Sequence, residues 1–353
     1  MEASLHVVIV GDRFIPAEFY VDALVKSCGL GFGPVRSVEW RGSKAEQHAA
    51  QQAMEWRGPE AVTVPDEILG EVREAEVLAV HFAPVSRAVL VAAPALRAVC
   101  VARTGLENVD VTAATARGVG VVPVFGRNAT AVAELAVGLM LTEARDIARV
   151  DASVKAGGWR ETLSRPGREI GGSTVGMVGF GHVGRAFAAV LRGFGARLIA
   201  HDPYVADAVL AEYSVARADS LDAVFRESDF VQVFARLTGE TERFIRASHF
   251  ALMKPTAYFV NTARSRLVET GALYDVLVAG RIAGAALDVH DQEPLAADSP
   301  WRRLENVTIT THFAGDTTTT SARSALLVAE AIAELSATGR CVCAVNAREL
   351  GWV

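Results

Sequence analysis

The sequence has no surplus of positive charge: 35 Lys and Arg stand against 41 Asp and Glu, a formal net charge of −6 over 353 residues. A nucleic-acid-binding surface wants the opposite balance, so no nucleic-acid partner is expected. No apolar run approaches the roughly 18 to 20 residues that cross a bilayer. The opening residues Met1 to His6 also lack the basic and long apolar regions of a secretory leader. No membrane partner is expected, and the cytoplasm is the expected compartment. Cysteine is scarce. Cys28, Cys100, Cys341 and Cys343 lack the paired CxxC spacing of a zinc site, and Cys341-Val342-Cys343 taken alone is a poor chelate or disulfide. Reduced thiols and no metal are therefore expected. Internal repeats and low-complexity tracts are missing as well. At roughly 100 to 200 residues per domain, the length suits two domains.

What the chain has is alternation. Short β-branched runs at His6 to Val10, Val35 to Trp40, Val77 to Phe82, Ala98 to Ala102 and Val119 to Val124 read as strands. Between them, Pro16 to Ser27, Asp66 to Arg73, Ser86 to Ala93 and Val111 to Arg117 read as helices, the rhythm of a parallel sheet covered on both faces. A long helix is predicted after Asn128, a candidate N-cap, because Val132, Leu135, Ala136, Leu139 and Met140 recur at helical spacing. The glycine-rich, polar stretch Gly157 to Gly172 reads as a loop. A second α/β series follows, with strands near Thr174 to Val178, Arg197 to Ala200, Phe230 to Phe234, Ala257 to Asn261, Ala283 to Asp288 and Val307 to Thr311. Six such strands make a doubly wound dinucleotide domain in number and spacing. A last helix is expected from about Thr317 to Leu335.

The first strand of that second series runs into Gly179-Phe180-Gly181-His182-Val183-Gly184. In a strand-turn-helix, the first glycine allows the tight turn, the second lets the backbone approach a pyrophosphate, and the third lets helix and strand pack closely. The helix N-terminus then offers unpaired N–H groups to the phosphates. A bare GxGxxG is weak evidence in a chain with 30 glycines, so context decides. Gly29-Leu30-Gly31-Phe32-Gly33-Pro34 is equally glycine-rich but follows a helix-like stretch and reads as a plain loop. The second site has a strand before it, a helix after it, and Asp202 about 20 residues further on, at the end of the next strand. An acidic group there suits ribose hydroxyls and repels a 2′-phosphate. Pro203 follows rather than an arginine, which favours NAD over NADP.

Nicotinamide chemistry on an alcohol needs a proton-transferring group, a cation for a carboxylate or polarised carbonyl, and a group that orients the base. Arg264 follows the strand ending at Asn261, Glu293 follows the strand ending at Asp288, and His312 follows the strand ending at Thr311. In an open α/β sheet, ligands bind outside the carboxyl ends of strands, so these three side chains can converge. Their nearest competitors are His290, three residues before Glu293, and Arg266.

From about Val99 to Thr320 the chain resembles the D-isomer-specific 2-hydroxyacid dehydrogenase family, which includes phosphoglycerate, glycerate and D-lactate dehydrogenases. The segments that carry the resemblance are Gly105-Leu106-Glu107-Asn108-Val109-Asp110, Val132-Ala133-Glu134-Leu135, the glycine turn through Arg185, Asn261-Thr262-Ala263-Arg264, Asp288 to Leu295, and Thr311-His312-Phe313-Ala314-Gly315. The resemblance implies two open parallel-sheet α/β domains: a flavodoxin-like substrate domain of residues 1–126 with 317–353, and a Rossmann NAD-binding domain of 127–316. It implies that Arg264 holds the substrate carboxylate and carbonyl, His312 exchanges the proton, and Glu293 hydrogen-bonds the imidazole. Cofactor contacts are implied for Thr104, Gly179, Gly181, His182, Val183, Gly184, Asp202, Ala235, Thr262, Ala263, Asp288 and Gly315. Asp288 is also motivated by its place at a strand end, where it can meet the nicotinamide carboxamide. Substrate contacts are implied for His81, Arg103, Gly105 and Arg264. The implied partners are a small 2-hydroxy or 2-oxo acid and a second copy of the chain in a homodimer.

The departures fall on the substrate side. Val80-His81-Phe82-Ala83-Pro84 has no arginine where relatives often carry Arg-Ser-x-Thr, and Arg103 stands where glycine is frequent. Arg41, Arg103, Arg127 and His81 are candidates to hold a polar or phosphorylated sugar acid. Formate dehydrogenases resemble the chain but carry Gln in place of Glu293. The competing class is an NAD-sensing scaffold resembling the C-terminal-binding-protein corepressors.

Overall fold

A computed structural model describes residues 5–28, 33–159 and 166–353. Residues 29–32 of the glycine-rich stretch and 160–165 of the expected loop lie outside the described residues, as does the side chain of Cys28. In chain order the first elements are β1 (Val7–Gly11), α1 (Ala17–Cys28), β2 (Val35–Glu39), α2 (Lys44–Arg57), α3 (Asp66–Glu71), β3 (Val77–Val80), α4 (Arg87–Ala92), β4 (Ala98–Val101), α5 (Val111–Ala116) and β5 (Gly120–Pro123). Then come α6 (Ala129–Arg145), α7 (Ile147–Lys155), β6 (Thr174–Val178), α8 (His182–Leu191), β7 (Arg197–His201), α9 (Asp207–Glu212), β8 (Ala216–Arg217), α10 (Leu221–Glu227) and β9 (Phe230–Val233). The series closes with α11 (Ala247–Leu252), β10 (Tyr258–Asn261), α12 (Thr270–Val278), β11 (Gly284–Leu287), β12 (Val307–Ile309) and α13 (Thr318–Thr338). The chain divides into two compact units, Met1–Arg127 with Asp316–Val353, and Asn128–Gly315.

In the first unit the strands are parallel in the order β2-β1-β3-β4-β5, the flavodoxin-like winding. β1, β3, β4 and β5 are buried at every residue, because helices cover both faces of the sheet. Val7, Ile9, Ala79 and Cys100 face one core with Tyr20 and Leu24 of α1, and with Val328, Ala329 and Ile332 of α13. Val8, Val10, Leu78, Val80, Val99 and Val101 face the other. The tail after α13 stays with this unit. The Asn346 side chain accepts from Val121 N–H at 2.9 Å and donates to the Val119 carbonyl at 2.9 Å, covering the edge strand β5.

Helix α2 has no counterpart among the expected elements. Its buried residues are Gln47, Gln51 and Met54, so its inward face is mostly amide rather than hydrocarbon and shows no apolar period. A start signal was nonetheless in the sequence: Ser43 accepts from Glu46 N–H while the Glu46 carboxylate accepts from Ser43 N–H, a capping box.

At the carboxyl ends of β1 and β3 the first unit buries a titratable pair. The Asp12 carboxylate accepts from the N–H groups of Phe14, Ile15 and Phe82 at 2.8 to 3.0 Å, and lies 3.1 Å from His81 Nδ1. Burial drives the His81 imidazole down to about 4 against the pull of Asp12, so at neutral pH it is uncharged and donates Nδ1–H. Asp12 lies below the usual carboxylate range: His81 and the backbone donors together outweigh its burial. With His81 neutral, its Nδ1–H and the three backbone N–H groups hold the negative charge by hydrogen bonding. The unfolded chain takes up a proton on this histidine near pH 6.5, whereas the folded chain does so only near 4, so folding stability falls as pH drops through that window. The expected loss is about 3 kcal/mol, at ~1.4 kcal/mol per pH unit. Denaturant unfolding at a series of pH values should show it in the native protein and not in His81→Gln. Asp12 adds its own loss only below this window.

The second unit is parallel throughout, in the order β12-β11-β10-β9-β6-β7-β8. Numbered from β6, this is the Rossmann winding with one further strand at the end. β8, two exposed residues long, is the element that the six-strand expectation lacked; it is too short to carry an apolar period. Helix α6 begins after Asn128 as expected, but the Asn128 side chain makes no capping bond. Ala133, Ala136 and Met140 of α6 bury against Val175 and Met177 of β6 and Phe187 of α8.

Candidate active site

The glycine turn lies where the winding of the second unit reverses, between β6 and β9. Gly179 has φ +94, and a Cβ there would sit 2.7 Å from Ala235 N, just past β9. At Gly184 a Cβ would meet the Gly179 carbonyl at 3.0 Å, so helix α8 packs directly on the turn. Gly181 differs. A Cβ there would meet nothing within 4 Å, and the N-cap φ of −76 suits any residue. Among the described residues no neighbour requires that glycine, which leaves the backbone at the start of α8 open to a ligand. Gly181→Ala is therefore expected to leave folding stability within about 1 kcal/mol while weakening NADH binding about tenfold or more. Gly179→Ala is expected to cost about 2 kcal/mol or more through its φ and the Ala235 clash. Thermal melts and NADH fluorescence titration separate the two.

Around the turn, Asp202 follows β7 and accepts from the N–H groups of Phe180 at 2.8 Å and Tyr204 at 3.0 Å, so its carboxylate also orders the turn. His182 is exposed as the first residue of α8, with Val183 half-buried behind it. The Thr262 hydroxyl is buried without a hydrogen-bond partner among the described residues. At Gly315 a Cβ would lie 2.7 Å from Asn128 Nδ2, so a protein contact accounts for that glycine.

Arg264, Asp288, Glu293 and His312 lie beyond the carboxyl ends of three adjacent strands, β10, β11 and β12. The Asn261 side chain closes the turn after β10, accepting from Ala263 N–H at 3.0 Å and donating to the Arg264 carbonyl at 3.0 Å. The Arg264 guanidinium donates to the Ala263 carbonyl at 2.8 Å and pairs with no carboxylate among the described residues. Its competitor Arg266 is engaged with Glu242 at 2.9 Å.

After β12 the backbone turns sharply: His312 has φ +58, a conformation that costs a non-glycine residue on the order of 1 to 3 kcal/mol. Asp288 holds the loop in that shape. Fully buried, it accepts from the Thr310 hydroxyl at 2.6 Å, Phe313 N–H at 3.2 Å and Ala314 N–H at 3.0 Å, bracketing His312. The imidazole Nδ1 lies 2.9 Å from Glu293 Oε2, and the other Glu293 oxygen accepts from His290 N–H at 2.8 Å. The contact with Glu293 fixes Nδ1 as the ring nitrogen on the carboxylate side of His312. His290 is not placed to compete, since its Nε2 donates to the Thr310 carbonyl at 2.8 Å.

Residues 137–314 match the family model described as D-isomer specific 2-hydroxyacid dehydrogenase, NAD binding domain. The hydroxypyruvate reductase of Thermotoga maritima is 36% identical over 271 residues, 76% of this chain and 87% of that one. The chain belongs to the D-isomer-specific 2-hydroxyacid dehydrogenase family. Within that family, the D-3-phosphoglycerate dehydrogenase of Mycobacterium leprae is 42% identical over 266 residues, 75% of this chain and 50% of that protein. The chain thus spans about half the length of the phosphoglycerate dehydrogenases it matches. The solved D-lactate dehydrogenase of Escherichia coli shares the fold, with a TM-score of 0.71 at 24% identity over 97% of this chain and all of that one. A nicotinamide dinucleotide is the cofactor of this domain family, and the open cradle at Gly181 and the unpartnered Thr262 hydroxyl fit one.

The other positions implied by the resemblance lie in the first unit. Thr104 donates to the Val124 carbonyl at 3.0 Å. Arg103 is buried, 3.1 Å from Glu107 and stacked over Phe82, and a Cβ at Gly105 would sit 2.8 Å from its Nη2. Arg41 pairs with Glu67 at 3.2 Å, and Arg127 donates to Ser324 Oγ at 3.2 Å. Neither Asn261 nor Thr310 stood out from the sequence as a functional position. An Asn closing a strand just before a candidate arginine is a legible Asx-turn signal, whereas Thr310 carries no signal at all.

Proposed function

We propose that the protein is an NAD-dependent D-2-hydroxyacid dehydrogenase, interconverting a 2-hydroxy acid and the corresponding 2-oxo acid. The observation that carries this reading is the 2.9 Å His312–Glu293 pair, on a loop fastened by Asp288 and two strands from Arg264. The dinucleotide would lie on the glycine turn, contacted by Gly179 to Gly184, Asp202, Ala235, Thr262 and Ala263; when bound, it supplies the hydride or takes it up. Arg264 binds the substrate carboxylate and polarises the 2-oxo group. His312 gives a proton to the carbonyl oxygen during reduction and accepts it during oxidation. Glu293 fixes the imidazole tautomer and stabilises its protonated form.

Asp202 retains lone pairs for ribose hydroxyls beyond those used by Phe180 and Tyr204, which supports NAD over NADP. His81, held neutral, brings no charge to the loop that the resemblance assigns to the substrate. A hydroxyl-bearing acid and a phosphorylated one are separated by the substrate panel. Homodimerisation through the cofactor domain remains part of the proposal, and sedimentation analysis tests it.

The deciding experiment is NADH oxidation, followed by absorbance, over a panel of 2-oxo acids with glyoxylate, hydroxypyruvate and phosphorylated sugar acids included, and NADPH in parallel. Steady turnover with an unphosphorylated acid and NADH is expected. NADH binding with no turnover across the panel would favour the scaffold reading instead.

A further inference from the structure

The end of α13 and the segment after it gather three side chains with ligand chemistry. Glu334 lies in the last turns of α13, which ends at Gly339 with φ +74. Cys341 and Cys343 follow in a turn closed by Ala344 N–H on the Cys341 carbonyl at 3.2 Å. Cys341 Sγ is 3.3 Å from Glu334 Oε2 and 2.9 Å from Cys343 Sγ, and the second Glu334 oxygen accepts from Val342 N–H at 3.2 Å. One ligand atom from each of the three residues lies within 4.8 Å of the others. Cys341 is buried, Glu334 half-buried and Cys343 exposed, so the group has protein on one side and solvent on the other.

The geometry points to a divalent-cation site with the chemistry of zinc, formed by Glu334, Cys341 and Cys343. Two sulfurs and a carboxylate are a donor set zinc accepts, and three protein ligands leave a fourth position for water. Around a tetrahedral zinc such ligand atoms stand about 3.3 to 3.8 Å apart, given metal–ligand distances of about 2.0 to 2.3 Å. The carboxylate–sulfur distance is already there. The sulfur pair must open by less than about 1 Å, which rotation of the exposed Cys343 side chain provides. The electrostatics agree, since the carboxyl end of a long helix adds negative potential beside the Glu334 carboxylate. A cation relieves both. Such an ion would tie the tail that covers β5 to the end of α13, a structural role apart from hydride transfer. The cysteine spacing alone made a poor chelate; the third ligand comes from the helix.

The test uses the full chain, reduced and stripped of metal, titrated with Zn²⁺ against a chromophoric chelator and with Cd²⁺ while the thiolate-to-metal absorbance is followed. One ion per chain is expected, with affinity climbing on the order of tenfold or more per pH unit as the thiol ligands lose their protons. Cys343→Ser, at an exposed position where folding tolerates the change, should weaken binding by about 100-fold or more and abolish the Cd²⁺ band. Glu334→Gln should weaken it about tenfold. Melting curves verify that both variants fold. No saturable one-per-chain event in the reduced protein, or an affinity unchanged by Cys343→Ser, overturns the site. A Cys341–Cys343 disulfide as the sole chemistry of the pair, with no metal uptake after reduction, does so too.

Discussion

Replacing His312 by glutamine is expected to lower turnover by about 10²- to 10⁴-fold and to leave NADH affinity nearly unchanged. Glutamine can still donate to Glu293, so the loop keeps its shape, but no atom remains that exchanges a proton with the substrate oxygen. The split matters because His312 has a strained backbone, and any replacement risks a folding effect. Steady-state kinetics beside NADH titration separate the possibilities: equal loss of turnover and cofactor binding would assign His312 a structural part only. Glu293→Gln supplies the companion measurement. It preserves the geometry and removes the charge that faces the imidazole, so turnover should fall, but less than for His312→Gln.

Asp288→Ala should be the most damaging substitution outside the proton-exchanging pair. Three donors, the Thr310 hydroxyl and the N–H groups of Phe313 and Ala314, lose a fully buried acceptor, and of the three only Ala314 is itself buried. At roughly 1 to 3 kcal/mol for the buried donor left unmade, and less for the two that solvent can reach, a stability loss of about 2 kcal/mol or more is expected from denaturant unfolding. Released from those bonds, His312 has no reason to keep φ +58, so the fraction that remains folded should also turn over at least about tenfold more slowly. Asp288→Asn, which retains an acceptor oxygen, should recover part of both losses. If Asp288 instead acts only by meeting the nicotinamide carboxamide, as its strand-end position suggests, Asp288→Ala would weaken NADH binding and leave stability intact.

Most of the architecture was legible because parallel strands covered on both faces are written as short, largely apolar, valine-rich runs. Val77–Val80 and Phe230–Val233 are buried at every residue and fall where the pattern placed them. Helix α2 was not, since glutamines turn inward there. The glycine turn was legible in spacing, but its three glycines look alike on paper. Only the fold shows that Gly179 and Gly184 answer to protein neighbours and Gly181 does not. His290 is much nearer than His312 to Glu293 in the linear chain, yet the Thr310 carbonyl engages the His290 ring and Glu293 faces that of His312.

Periodicity and motif spacing pointed to the fold class, and the resemblance of whole segments to a known family added the family and the residues to suspect, because each strand or turn declares itself within a few residues. Which side chain holds which is another matter. That Asp288 serves the His312 loop, that Asp12 shares its buried charge with three N–H groups beside an uncharged His81, and that Glu334 joins two cysteines emerged only in three dimensions. A hydrogen bond is directional and short, so a partner many residues away leaves no trace in the sequence until folding brings it within about 3 Å.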